Sequence, residues 1–236
     1  SRIAWPGNWR AIADAAAPES QVDVFVRDFQ AGLAVEEGDS EASGPVPETG
    51  MVDGQSLRWL KRGSGGEAAI LIHGFGGDLD NWLFNHQELA ATRAVYALDL
   101  PGHGGSSKQV VRGDLDEFAK VLGGFMDAVG LSQAHLVGHS MGGGAALQFA
   151  LAHPERVASL VLIASAALGP EIDGDYLAGF VAASRRREME PHIQKLFANP
   201  KLIDRKLIEN VLKYKRMDGV ESALRTIASG FCPGGR

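Results

Sequence analysis

Cysteine is all but absent: Cys232 stands alone among 236 residues, which excludes an intrachain disulfide and fits a reducing, cytoplasmic setting. No run reads as a membrane span; the uncharged stretch 157–170 is too short to cross a bilayer and reads as a buried strand with its following turn. The N-terminus lacks the basic, then apolar, then small-residue pattern of a secretory signal. Positive charge is in deficit, with a net charge of −6, so general nucleic-acid or anionic-membrane binding is excluded as a first reading. There is no internal repeat, no low-complexity tract and no metal-ligand spacing. Glycine is plentiful instead. Its 30 residues are nearly double the usual share of about 7%, and they gather at the ends of apolar runs, where tight turns need them.

The length suits one large domain with a tail. Between residues 12 and 54 ten acids face one base, Arg27, so the later part of this stretch reads as a solvated linker. Within it Val22, Phe25, Val26 and Phe29 follow helical spacing and predict a short docking helix. From Gly54 onward strand-length apolar runs (57–61, 68–72, 94–98, 134–137 and 157–164) alternate with helix-period segments. That alternation predicts an α/β fold with a mostly parallel sheet and helices on both faces. The clearest helix carries Leu115, Phe118, Leu122, Phe125 and Met126 on one stripe, capped by Asp114 with support from Glu117 and stopped by Gly130. Residues 176–229 show helical spacing broken at Pro191 and Pro200, which predicts an all-helical lid spanning about 170–229.

Residues 138–142 read Gly-His-Ser-Met-Gly between the apolar strand 134–137 and a helical stretch at 143–153. In that context G-x-S-x-G is a nucleophile elbow, a turn so sharp that Gly138 and Gly142 must lack side chains. Ser140 is the candidate nucleophile, and the Met141 N–H, at a helix N-terminus, is placed to receive an oxyanion. Residues 73–77 read His-Gly-Phe-Gly-Gly after the strand 68–72; this loop offers a second donor, the Phe75 N–H, with His73, Gly74 and His139 shaping the site rather than serving as bases.

A serine hydroxyl needs a base. Only His153 and His192 follow Ser140; the first lies about 20 Å away along the helix, and the second sits in the lid. Ser165 and Ala166, neither of them an acid, follow the strand 157–164. The HGFGG and GHSMG stretches resemble those of the α/β-hydrolase fold, whose acid and histidine follow two further strands; the resemblance implies that both lie outside this chain, with the C-terminal strands missing, an unpaired sheet edge and negligible turnover for the chain alone.

HGFGG, DLPGHGGS and GHSMGG, in this order and each at the end of a strand, resemble the α/β-hydrolase fold over residues 52–236. The resemblance implies that 99–106 is a structural turn, so Asp99 and His103 receive no catalytic role. Residues 11–53 joined to this domain resemble the dihydrolipoyllysine-residue acetyltransferase components of acetoin dehydrogenase complexes. By that resemblance 1–54 holds the end of a lipoyl domain, a short helix and a linker, while 55–236 is a truncated hydrolase domain with its core at 55–169. It further implies acetyl transfer from a dihydrolipoyl thioester to coenzyme A through acyl-Ser140, with lipoate and coenzyme A as substrates and no tightly bound cofactor. The implied partners are a lipoyl domain, other subunits of a multienzyme complex and further copies of the chain. Between residues 185 and 216 ten bases outnumber four acids, and Arg185, Arg186 and Arg187 are candidates to meet coenzyme A phosphates or an acidic lipoyl domain. The alternatives are a free-standing carboxylesterase or carbon–carbon bond hydrolase, and a non-catalytic binding protein of the same fold.

Overall fold

Two fully apolar four-residue strands, β3 (Ala69–Ile72) and β4 (Val95–Leu98), are buried along their whole length and form the centre of a six-stranded sheet. Strands covered on both faces need no polar alternation. The order is β1-β2-β4-β3-β5-β6, with β1 (Glu48–Val52), β2 (Gln55–Arg62), β5 (Ala134–His139) and β6 (Val157–Ile163). The pairs β1/β2 and β2/β4 are antiparallel, and the rest are parallel. The computed structural model describes residues 45–169 and 171–232, so the helix read at 22–29 lies outside the described residues.

Three crossover segments cover the sheet: α1 (Leu83–Leu89), α2 (Leu115–Ala128) and α3 (Met141–Ala152). The α2 stripe predicted from spacing is buried, and Asp114 Oδ1 accepts the Glu117 N–H at 2.9 Å. Glu117 does more than support this cap. Its carboxylate accepts the amides of Val111, Arg112 and Gly113, which holds the incoming loop against the helix N-terminus. Gly130 follows in a left-handed conformation at φ 73. Phe118, Leu122, Phe125 and Met126 meet Phe149 in the larger core, while Leu60, Leu71, Leu79 and Trp82 form a smaller one.

Three readings differ from the structure. Residues 48–52, placed in the acidic linker, are strand β1, joined to β2 through Asp53 and Gly54 at φ 48 and 80, the two left-handed positions of a tight hairpin. Only Val52 of β1 is buried, so this edge strand shows no apolar alternation. Pro191 lies inside a helix instead of ending one, because Met189 and Ile193 on either side are buried and hold the turn despite the missing N–H. The strand read at 157–164 ends at Ile163, where Ala164 turns to φ 42.

The lid comprises α4 (Gly174–Ala182), α5 (Arg186–Gln194), α6 (Arg205–Lys215) and α7 (Val220–Phe231). Each presents an apolar stripe inward, among them Leu177 and Phe180 on α4 and Ile208 and Leu212 on α6. Among the described residues β6 is an edge strand, with Val161 and Ile163 exposed. Phe118 is fully buried between α2 and the sheet; we expect Phe118→Ala to lower unfolding free energy by about 3–5 kcal/mol, read from urea denaturation.

Candidate active site

Ser140 stands between β5 and α3 at φ 53 and ψ −119, a strained conformation for a residue with a side chain. The turn closes only because its neighbours are bare. A Cβ on Gly138 would lie 2.5 Å from the Gly142 oxygen, and one on Gly142 would lie 2.4 Å from the His73 oxygen and 2.5 Å from that of Ile72. The Ser140 carbonyl accepts from both Gly144 N and Ala166 N, which ties the turn to the chain leaving β6.

The start of α3 therefore abuts the end of β3, where the 73–77 loop begins. A Cβ on Gly74 would be 3.0 Å from the Ser140 Cβ. The Met141 amide belongs to the first helical turn, which has no side-chain cap, and the Phe75 amide is taken by no hydrogen bond among the described residues. One free amide thus follows Ser140 directly and the other follows Gly74, the residue packed against the Ser140 Cβ; backbone donors of this kind can stabilise charge on a tetrahedral carbonyl adduct.

Two buried histidines build this loop from beneath. His73 Nδ1–H donates to the Gly74 oxygen at 2.8 Å, and Nε2 accepts the Leu100 N–H at 3.0 Å. His103 repeats the pattern, with Nδ1–H to the Pro101 oxygen at 3.1 Å and Nε2 accepting the Gly76 N–H at 3.1 Å. Each imidazole is neutral and fixed in one tautomer, since a protonated ring could accept nothing. Burial holds both below the ordinary histidine range, and for His103 the neighbouring His73 adds to it. Asp99, fully buried, accepts from Leu79 N and Gly105 N, each at 2.7 Å, and from Arg58 at 3.2 Å.

The remaining candidates are dispersed. His139 is half-buried beside Gly74. His153 caps the far end of α3 against Phe149, and His192 lies in the lid with its Nδ1 buried and unpartnered. Among the described residues no hydrogen bond joins a histidine to the Ser140 hydroxyl, and Ser165 Oγ donates to the Ala166 oxygen. A Ser–His–acid chain does exist elsewhere, Ser159–His135–Glu67 at 2.8 and 3.2 Å, but it lies at the opposite, N-terminal ends of the strands, away from the α3 amides. Arg185, Arg186 and Arg187 are exposed at the start of α5 and enter no ion pair among the described residues. Spacing alone does not reveal the grip of His103 on Gly76. Lys215 does carry a signal in the sequence, because its spacing puts a cation on the apolar stripe of Ile208 and Leu212.

A sheet of this order bearing a strained serine between its fifth strand and the next helix defines an α/β protein of hydrolase-like architecture. The family model described as the α/β hydrolase fold matches residues 69–210, and the chain belongs to that family. The dihydrolipoyllysine-residue acetyltransferase component of the acetoin cleaving system of Pseudomonas putida is 50% identical over 226 residues, covering 95% of this chain and 61% of that protein. A 2-hydroxy-6-oxononadienedioate/2-hydroxy-6-oxononatrienedioate hydrolase of Burkholderia vietnamiensis is 35% identical, covering 74% of this chain and 60% of that protein. The chain thus spans about three fifths of the length of these relatives. Among solved structures, a serine hydrolase of Cycloclasticus zankles shares the fold with a TM-score of 0.72 at 23% identity, covering 80% of this chain and 71% of that one. No described helix is long and apolar enough to cross a membrane.

The neutral histidines set a pH dependence. Below about pH 6.5 unfolded histidines bind protons that the folded His73, His86, His103 and His139 resist, so stability falls as pH drops. Asp78, pushed from 3.8 up to about 6 first by burial and then by Asp99, works in the opposite sense, gaining its proton in the folded state below that value. Urea midpoints should therefore decline between about pH 7 and 6, and His103→Gln should flatten that slope.

Proposed function

We propose that the chain carries the acyl-transfer site of an acetoin-cleaving complex, moving an acetyl group from a dihydrolipoyl thioester to coenzyme A. The observation that supports it is Ser140, held at φ 53 in the turn before α3 and packed against Gly74 of the 73–77 loop, in a chain half identical to the Pseudomonas putida acetyltransferase component. Ser140 Oγ attacks the thioester carbonyl carbon and gives its proton to a base, and the two amides hold the resulting oxyanion. Collapse of the adduct breaks the carbon–sulfur bond, and the dihydrolipoyl sulfur leaves with the proton. The coenzyme A thiol then attacks the acyl-serine, returning the hydroxyl to Ser140. The reading places the base and its acid outside the described residues.

Transfer in place of hydrolysis requires that water be kept from the acyl-serine, and in this reading the helical lid would supply the cover. Arg185, Arg186 and Arg187 would draw the phosphates of coenzyme A or an acidic lipoyl domain towards it. Lipoate and coenzyme A are substrates here, and the protein would act with a lipoyl domain and the other subunits of the complex as a homo-oligomer. A second reading, carbon–carbon bond hydrolysis by a free-standing enzyme, is favoured by the 35% identical Burkholderia vietnamiensis hydrolase, since such chemistry can use the same elbow and amides.

The test is acetyl-coenzyme A formation from acetyl-dihydrolipoamide by the full-length protein. Ser140→Ala should lower the rate by about four orders of magnitude or more, with loss of fluorophosphonate labelling. Release of acetate at the same rate with or without coenzyme A would favour hydrolysis instead. Arg185, Arg186 and Arg187 changed together to Ala should raise the coenzyme A KM and weaken its dependence on salt.

A further inference from the structure

We propose that Tyr214 and Lys215, neighbours at the C-terminal end of α6, are positioning residues that lock the lid onto the oxyanion loop and thereby hold the Phe75 amide in place. The proposal rests on the acyl-serine reading above.

Lys215 is a buried lysine with no carboxylate partner among the described residues. Its ammonium donates to the carbonyls of Phe180, Val181 and Ala183, the last of these at the C-cap of α4. The last carbonyls of a helix lack intrahelical donors and carry its negative end, so three N–H groups on one cation satisfy three acceptors at once. An apolar residue there would leave those carbonyls buried and unpaired. The same ammonium lies 5.4 Å from the centre of the Phe180 ring.

Phe180 passes this fixation on to the oxyanion loop. Its ring meets Phe75 edge-on with centroids 5.5 Å apart, and it sits so close over Gly76 that a Cβ there would lie 2.4 Å from it. Gly76 is gripped from the other side by His103, whose Nε2 accepts its N–H. Tyr214 in turn steadies His103: the two rings stack with an interplanar angle of 13°, and the Tyr214 hydroxyl donates to the Gly102 oxygen at 2.7 Å. Successive helical residues point about 100° apart, which is how adjacent side chains reach two different supports. Both supports converge on Gly76, the residue after Phe75, so loosening either one lets the Phe75 N–H move away from the oxyanion position.

The experiment uses full-length protein carrying Lys215→Met, Lys215→Arg or Tyr214→Phe, with Ser140→Ala alongside. At temperatures well below each variant's Tm, Lys215→Met and Tyr214→Phe should lower kcat roughly tenfold to a hundredfold with KM little changed. Affinity for a trifluoromethyl ketone, which forms the tetrahedral oxyanion on serine, should fall by the same factor. Lys215→Arg, which keeps the cation, should recover part of both losses. A lowered Tm with unchanged kcat and unchanged ketone affinity in both Tyr214→Phe and the Lys215 variants would overturn the proposal. Should Lys215→Met fail to fold, Tyr214→Phe decides it alone, because it removes one hydroxyl and keeps the ring. An active Ser140→Ala would overturn the acyl-serine reading, and this proposal with it; an inactive Ser140→Ala beside fully active Tyr214→Phe would overturn only this proposal.

Discussion

Where Gly142 meets the carbonyls of Ile72 and His73, the end of β3 and the start of α3 approach closer than any side chain would allow. That contact fixes where the helix points its first amides and where the 73–77 loop starts, so the positions of the Met141 and Phe75 amides both descend from it. It also forces the residue between β5 and α3 into a left-handed turn, and Ser140 accepts the strain because its carbonyl is held by Gly144 and Ala166. Ser140 is thus presented by backbone geometry, with side chains serving to keep that geometry from relaxing.

Two imidazoles do most of that keeping. A neutral histidine is both a donor and an acceptor at opposite corners of one ring, which suits it to join two backbone segments through a dry interior. His73 links the loop to the chain after β4, and His103 links that chain back to Gly76. Asp99 completes the floor by gathering Leu79, Gly105 and Arg58 around one buried carboxylate. The arrangement uses ionisable residues as fixed polar joints, and burial keeps both rings uncharged.

The lid adds a second layer of constraint from above. Phe180 rests on Gly76 and Phe75, and Lys215 anchors the helix that carries it. The helices after β6 are therefore continuous in packing with the 73–77 loop.

Much of this is legible in local patterns of the sequence. The two glycines around Ser140, the glycine-rich loop after β3 and the stripe of α2 each depend on residues close in sequence, where spacing and turn chemistry act directly. Strand β1 is not legible in the same way, because an edge strand with one buried residue leaves no alternation, although Asp53–Gly54 marks its turn. Pro191 misleads because propensity describes an isolated helix, and burial of Met189 and Ile193 outweighs it. The strained serine turn between β5 and α3 and the alternation of strands and helices are readable from the residues alone, since these follow from steric rules acting over a few positions. Which side chains brace the 73–77 loop was settled by long-range packing alone. Contacts such as Tyr214 to Gly102, 112 residues apart, depend on how the whole chain packs, and no local pattern encodes them.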